Sequence, residues 1–160
     1  NDINNDEYDF KYFTPIHDSL YRTSFKMFLD KPVFGHGPNT FRKLCSEDRY
    51  NVGRYGCSTH PHNFYLQLLA ETGIIGILPL LVVIIYLINT IFKQLISIIK
   101  REKYKFCSDF QVCIIAALIL SLFPFLPTQN FFNNWINVII YLPVGFYLYS
   151  LYSHKFSRDK

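Results

Sequence analysis

The chain has 160 residues, half of them hydrophobic, and a formal net charge of +4. That length suits one ordinary domain, but the apolar residues are not spread evenly: no Asp, Glu, Lys or Arg occurs from Thr72 to Phe92 or from Phe110 to His154. Uncharged apolar runs of roughly 18 or more residues are lipid-spanning in character, which excludes an ordinary soluble domain, and the small positive excess is explained by topology and gives no ground for a nucleic-acid partner.

The expected fold class is an all-α integral membrane protein with three transmembrane helices. A long periplasmic loop with short helices, residues 1–73, precedes them. The chain opens on the polar run Asn1–Asp6, with no initiator Met or signal peptide. It reads as the C-terminal part of a longer polytopic bundle. Residues 1–17 are polar and aromatic without a period and predict an irregular loop. Asp18 or Ser19 then caps a helix from about Leu20 to Leu29, which Asp30-Lys31-Pro32 ends. Arg22 and Lys26 lie one turn apart on that helix, and Phe25, Phe28 and Leu29 form an apolar side. The two cations are either solvated surface charges or an anion site, since guanidinium pairs with phosphate through two parallel hydrogen bonds.

Val33–Asn39 is turn chemistry, with Gly35 and Gly37 available for positive φ. Leu44–Cys57 is a charged loop enclosed by Cys45 and Cys57. A disulfide between these two requires an oxidising compartment, and would pin the loop beside His60 and His62. Next comes Cys57-Ser58-Thr59-His60-Pro61-His62-Asn63, leading into Phe64–Gly73. Pro61 suits a first helical turn, and His62 then falls in that turn, near the positive end of the helix dipole. Leu66, Leu69 and Ala70 share one face, and Gly73 closes the helix as a left-handed cap.

The first span is expected over 74–99. A basic connector, 100–109, follows with Lys100, Arg101, Lys103 and Lys105. The second span is 110–126 and a short uncharged turn is 127–135, with Phe131, Phe132 and Trp135 as interfacial anchors. The third span is 136–152, and the tail 153–160 is basic. Short basic loops stay in the cytoplasm. Both basic segments fall on one side, so residues 1–73 are expected in the periplasm and the C-terminus in the cytoplasm. Cys107 and Cys113 are expected to be reduced.

His60 and His62, with Cys57, offer three soft ligands and no fourth, so no metal is assigned. Either the two imidazoles are hydrogen-bonded interfacial side chains or one is a general base, since neutral imidazole accepts a proton near working pH. Asn63 either orients that ring or a sugar hydroxyl, or simply caps the helix. Glu71 stands roughly 13 Å from His62 by helical rise. It is therefore structural or pairs with a basic group elsewhere.

Three stretches carry a resemblance. HPHN-x-x-L-x-x-L-A-E-x-G-x-x-G ahead of a span, and Arg22–Phe41 (RTSFKMFLDKPVFGHGPNTF), resemble the bacterial O-antigen ligase and Wzy-type polysaccharide polymerase family. Phe123–Trp135 (FPFLPTQNFFNNW) resembles a hairpin of the polymerase branch. The resemblance implies a metal-independent membrane glycosyltransferase without a cofactor, in the bacterial inner membrane. Its donor would be a glycan on undecaprenyl diphosphate. Its acceptor would be a sugar hydroxyl on lipid A core or on a lipid-linked repeat unit. His62 aligns with the family's catalytic histidine and Arg22 with its diphosphate-binding arginine. A second family arginine belongs to an earlier part of the protein. Asn63, His60, Lys26 and Arg42 are candidate substrate contacts. Glu71, Gly73, Cys45 and Cys57 are candidate structural residues. A protein O-oligosaccharyltransferase and a non-catalytic membrane subunit with a glycan- or partner-binding loop are the alternatives.

Overall fold

The computed structural model describes residues 13–102 and 106–158, with side chains to Tyr152 apart from those of 136 and 140. Among them it has five helices and no strand: α1 (Pro15–Asp30), α2 (Phe41–Leu44), α3 (Phe64–Ile99), α4 (Asp109–Ser121) and α5 (Asn134–Arg158). Residues 1–12, Lys103, Lys105 and Lys160 lie outside this range, so part of the expected front loop, basic connector and tail does too.

α1 begins five residues before the expected Leu20. Thr14 is the N-cap and accepts the His17 N–H, and Pro15 occupies the first turn, where a missing N–H costs nothing. Asp18 and Ser19 are thus inside the helix. Its buried side is Leu20, Thr23, Ser24 and Met27, while Phe25 and Leu29 of the expected apolar side stay exposed. Small residues face inward because neighbouring backbone comes close: the Thr23 hydroxyl accepts the Val52 N–H at 3.2 Å. Leu20, Met27, Phe41, Cys45, Tyr50 and Ala70 form the core that joins α1, α2 and the start of α3.

α3 is broken at Gly73, where φ is 65° and ψ is −164°. The positive φ was expected, but this is not the left-handed helical cap. It is an extended conformation essentially reserved for glycine, and the chain goes straight on into helix. The turn at residues 32–37 fills the break from outside. His36 and Gly37 donate N–H groups to the carbonyls of Ala70 and Glu71, which the break leaves without helical partners. In return, the carbonyls of Pro32 and Val33 accept from Ile74 and Ile75. Contact is so close that a Cβ on Gly73 would collide with the Val33 carbonyl, and one on Gly35 with the backbone of Glu71.

Beyond the break, Ile74–Ile99 extends about 39 Å at roughly 1.5 Å per residue. Among the described residues α3 is the one helix long and apolar enough to cross a membrane by length and composition. α4 is shorter than the expected 110–126, with 13 residues, capped at its start by a Ser108–Gln111 capping box. It ends at Ser121 because the next residues turn back toward α3. The expected turn at 127–135 is therefore longer, running from Leu122 to Asn133. α5 starts at Asn134 and is helical to Arg158, past the expected end at 152. Leu87 of α3, Ile114, Ile115 and Leu118 of α4, Tyr147 of α5 and Cys107 pack into a second core. Cys107 and Cys113 are unpaired thiols.

Candidate functional site

The site forms where the 57–63 segment meets α1 on one side and the 122–131 segment on the other. Cys45 and Cys57 are disulfide-bonded, with Cα atoms 4.9 Å apart, and tie the start of the histidine segment to the end of α2. The segment then enters α3 later than expected. Asn63, not Pro61, marks the helix start: its side-chain oxygen accepts the N–H groups of Tyr65 and Leu66. Asparagine is a strong N-cap residue and histidine is not. His62 is therefore outside the helix, half-buried, with φ at 57°.

The 122–131 segment fixes this geometry. Thr128 donates its N–H to the His62 carbonyl at 2.8 Å, and its hydroxyl accepts the Phe64 N–H at 2.7 Å. The Asn63 amide donates to the Pro124 carbonyl at 2.9 Å, and the Tyr65 hydroxyl donates to the Leu122 carbonyl. Gln67 donates to Asn130 and accepts the Phe131 N–H. The first amides of α3 are thus all used by protein groups, and none is left for an anion.

The His60 and His62 rings lie 4.2 Å apart between centroids. His60 is buried, contacts the Thr59 hydroxyl through Nδ1 at 3.0 Å, and has no well-formed hydrogen bond at Nε2. Burial lowers the pKa of His60, helped by the charge of His62 and slightly opposed by the Thr128 backbone. His62 is also lowered, by burial first and then by His17. The causes are burial and a neighbouring imidazole, not a helix dipole. A His62 ring kept neutral has a lone pair available for a proton.

An open groove of about 610 Å³ runs along α1, lined by Tyr21, Arg22, Phe25, Lys26, Val52 and Leu66. Arg22 is exposed and held loosely by Asp18 at 3.9 Å. The structure brings Arg22 and Lys26 to this groove together with Leu66, one turn into α3 from Asn63. Arg42 is not among its lining residues; it is exposed on α2, on the side of Glu71. Asn63 is fully engaged as cap and clasp.

Glu71 is buried. Its carboxylate accepts the N–H groups of Asn39 at 2.9 Å and Phe41 at 2.7 Å, and the Gln67 amide at 3.3 Å. Burial pushes its pKa up, and these donors and Arg42 work against that. Sequence reasoning passed over His17, whose ring centroid lies 5.9 Å from that of His62. A histidine 45 residues earlier in an aperiodic stretch gives no signal of such a contact. Thr128 was missed for the same reason, although Thr between Pro127 and Gln129 marked a turn.

Among the described residues, an all-helical fold with one membrane-length helix and an imidazole cluster beside its head is the class that fold and site define. Residues 19–81 match the family model described as O-antigen ligase, which bears out the motif resemblance over that stretch and supports a membrane glycosyltransferase-type function in general terms. Both Arg22 and His62 fall inside the match. No curated protein and no solved structure matches the chain.

Proposed function

We propose that this chain belongs to a membrane glycosyltransferase that transfers or polymerises undecaprenyl-diphosphate-linked glycan in the assembly of O-antigen or a related surface polysaccharide. The acceptor hydroxyl attacks the anomeric carbon, and the carrier diphosphate departs with the bonding electron pair. His62 takes the hydroxyl proton. Arg22, with Lys26 beside it, holds the diphosphate, whose charge grows as the bond breaks. A positioned guanidinium therefore stabilises the transition state more than the ground state. No metal or cofactor is invoked, because the donor carries its own leaving group.

The observation that supports this reading best is the packing of α1, with Arg22 and Lys26 on its groove, against the segment that holds half-buried His62. In the proposed arrangement residues 1–73 face the periplasm of the bacterial inner membrane. Ile74–Ile99 spans it, α4 and α5 carry the two further crossings, and the C-terminus is cytoplasmic. The exposed Phe25 and Leu29 then rest near the lipid surface.

The test is genetic. The gene is deleted and restored as wild type, Arg22→Ala or His62→Ala, and cell lipopolysaccharide is separated on a gel. Both variants are expected to lose long polymer while inserting normally. Core carrying a single repeat unit identifies a polymerase. Bare core with polymer accumulating on the lipid carrier identifies a ligase. An unchanged ladder rejects the catalytic assignment.

A further inference from the structure

His17 has no part in the reaction as written above, yet it touches the residue at its centre. It lies in the first turn of α1, half-buried. Its ring meets the His62 ring edge-on, at 5.9 Å and 77°. On its other side it stacks on Tyr21, at 5.9 Å and 27°, and Tyr21 lines the groove with Arg22. Its Nδ1 is 3.0 Å from the Thr14 hydroxyl, which also accepts the His17 N–H. Three contacts thus limit how this ring can turn.

Among the described residues, the titratable groups around His62 are few. From α1 come His17 and Tyr21, with Asp18 and Arg22 paired to each other. His60 shares the His62 segment. From α3 comes Tyr65, whose hydroxyl is spent on the Leu122 carbonyl. The 122–131 segment has no titratable side chain.

We propose that His17 is a positioning residue of this site: carried on the same helix as Arg22, its imidazole holds the His62 ring in place and keeps His62 unprotonated. The proposal rests on the reading of His62 as the base. Two neighbouring imidazoles cannot both hold a second proton without repulsion in a partly desolvated site. The edge-on contact of the two rings therefore disfavours a proton on His62, which stays ready to accept one from a hydroxyl. The same contact couples the diphosphate-binding helix to the base, so the two halves of the site move as one.

The experiment compares His17→Phe and His17→Ala in the full chain, in membranes supplied with lipid-linked donor. Transfer rate is measured against pH. His17→Phe retains a ring against His62 but cannot protonate. It is expected to reach a near wild-type rate at high pH, with the acid limb of the profile moved to higher pH. His17→Ala removes the ring as well, and is expected to lower the rate at every pH by on the order of tenfold to a hundredfold, as misplaced catalytic groups do. In parallel, the His62 titration is followed by NMR of ring-labelled protein in detergent, and is expected to move to higher pH in His17→Phe. Rate profiles and a His62 titration that overlay the wild type in both variants overturn the proposal. A His62 titration that moves in His17→Phe, alongside full transfer by His62→Gln, leaves the influence of His17 standing and overturns the base assignment instead. Formation of the Cys45–Cys57 disulfide reports folding of each variant, and His17→Gln replaces His17→Phe if the latter fails it.

Discussion

At the scale of single residues, buried His60 and half-buried His62 bear on how the site responds to pH. His60 and His62 both have folded-state pKa values below the ordinary histidine value. The folded state therefore binds their protons less readily than the unfolded chain does. Their contribution to stability is full above the ordinary histidine value of about 6.5. It is lost as pH falls through that value toward the depressed folded values. The melting temperature of the detergent-solubilised protein, followed by circular dichroism, should drop between neutral and mildly acidic pH. His60→Gln should flatten that drop, because the more buried imidazole no longer has to charge. An unchanged pH dependence in His60→Gln would mean that the acid sensitivity arises elsewhere. Glu71 shows a different logic. Its carboxylate is the acceptor for three donors, from Gln67 of α3, from Asn39 and from Phe41 at the start of α2.

At the scale of elements, the break in α3 and the turn at 32–37 are one device. Gly73→Ala must push aside the Val33 carbonyl and also adopt a backbone conformation that costs a non-glycine residue about 1–3 kcal/mol. It is expected to yield little folded protein. The measurement is thiol labelling of intact cells: Cys45 and Cys57 should be protected until reduction in the wild type and reactive in Gly73→Ala. Equal protection in both would show that the turn tolerates a side chain. Much of this device was legible beforehand. Gly35, Gly37 and Gly73 announce positive φ, Pro32 announces the end of α1, and Cys45 and Cys57 are a pair of suitable spacing. What was not legible is their mutual fit, because no local pattern tells that the carbonyls of Pro32 and Val33 meet the amides of Ile74 and Ile75. Helix starts were misread where two cap candidates compete. Thr14-Pro15 outranks Asp18, and Asn63 outranks Pro61, since in each pair the winner offers both an acceptor and the right place for the following backbone. The end of α4 at Ser121 is a tertiary effect: the Leu122 and Pro124 carbonyls are drawn to Tyr65 and Asn63.

At the scale of the whole molecule, hydropathy alone read three crossings, whereas the helices differ in length. Among the described residues, only α3 is both long and apolar enough to cross by itself. α4 at 13 residues is too short for a hydrocarbon core of about 30 Å. In the proposed topology the apolar 122–126 stretch completes that crossing, with its Leu122 and Pro124 carbonyls met by Tyr65 and Asn63 rather than by lipid. Reporter fusions check this. A phosphatase active only in the periplasm should be active when fused within the Leu44–Cys57 loop and inactive when fused after Lys160. Activity at both places would put an even number of crossings between them and rule out three spans. The exposed apolar surfaces of Ile85, Ile88, Phe92 and Ile99 along α3 are what a lipid-facing or bundle-facing helix presents.

The mutual bonding of the 32–37 turn with Ile74 and Ile75 has a consequence for biogenesis. Translation delivers α1 and the turn first, and at that moment the carbonyls of Pro32 and Val33 have only water. Their partners are the first residues of the apolar stretch, which emerge some forty residues later. The front segment thus completes its structure only as the apolar helix arrives, and in the proposed topology the two mature together at the bilayer surface. Cut before Ile74, the segment would keep its histidines and arginines but lose the seam that closes it.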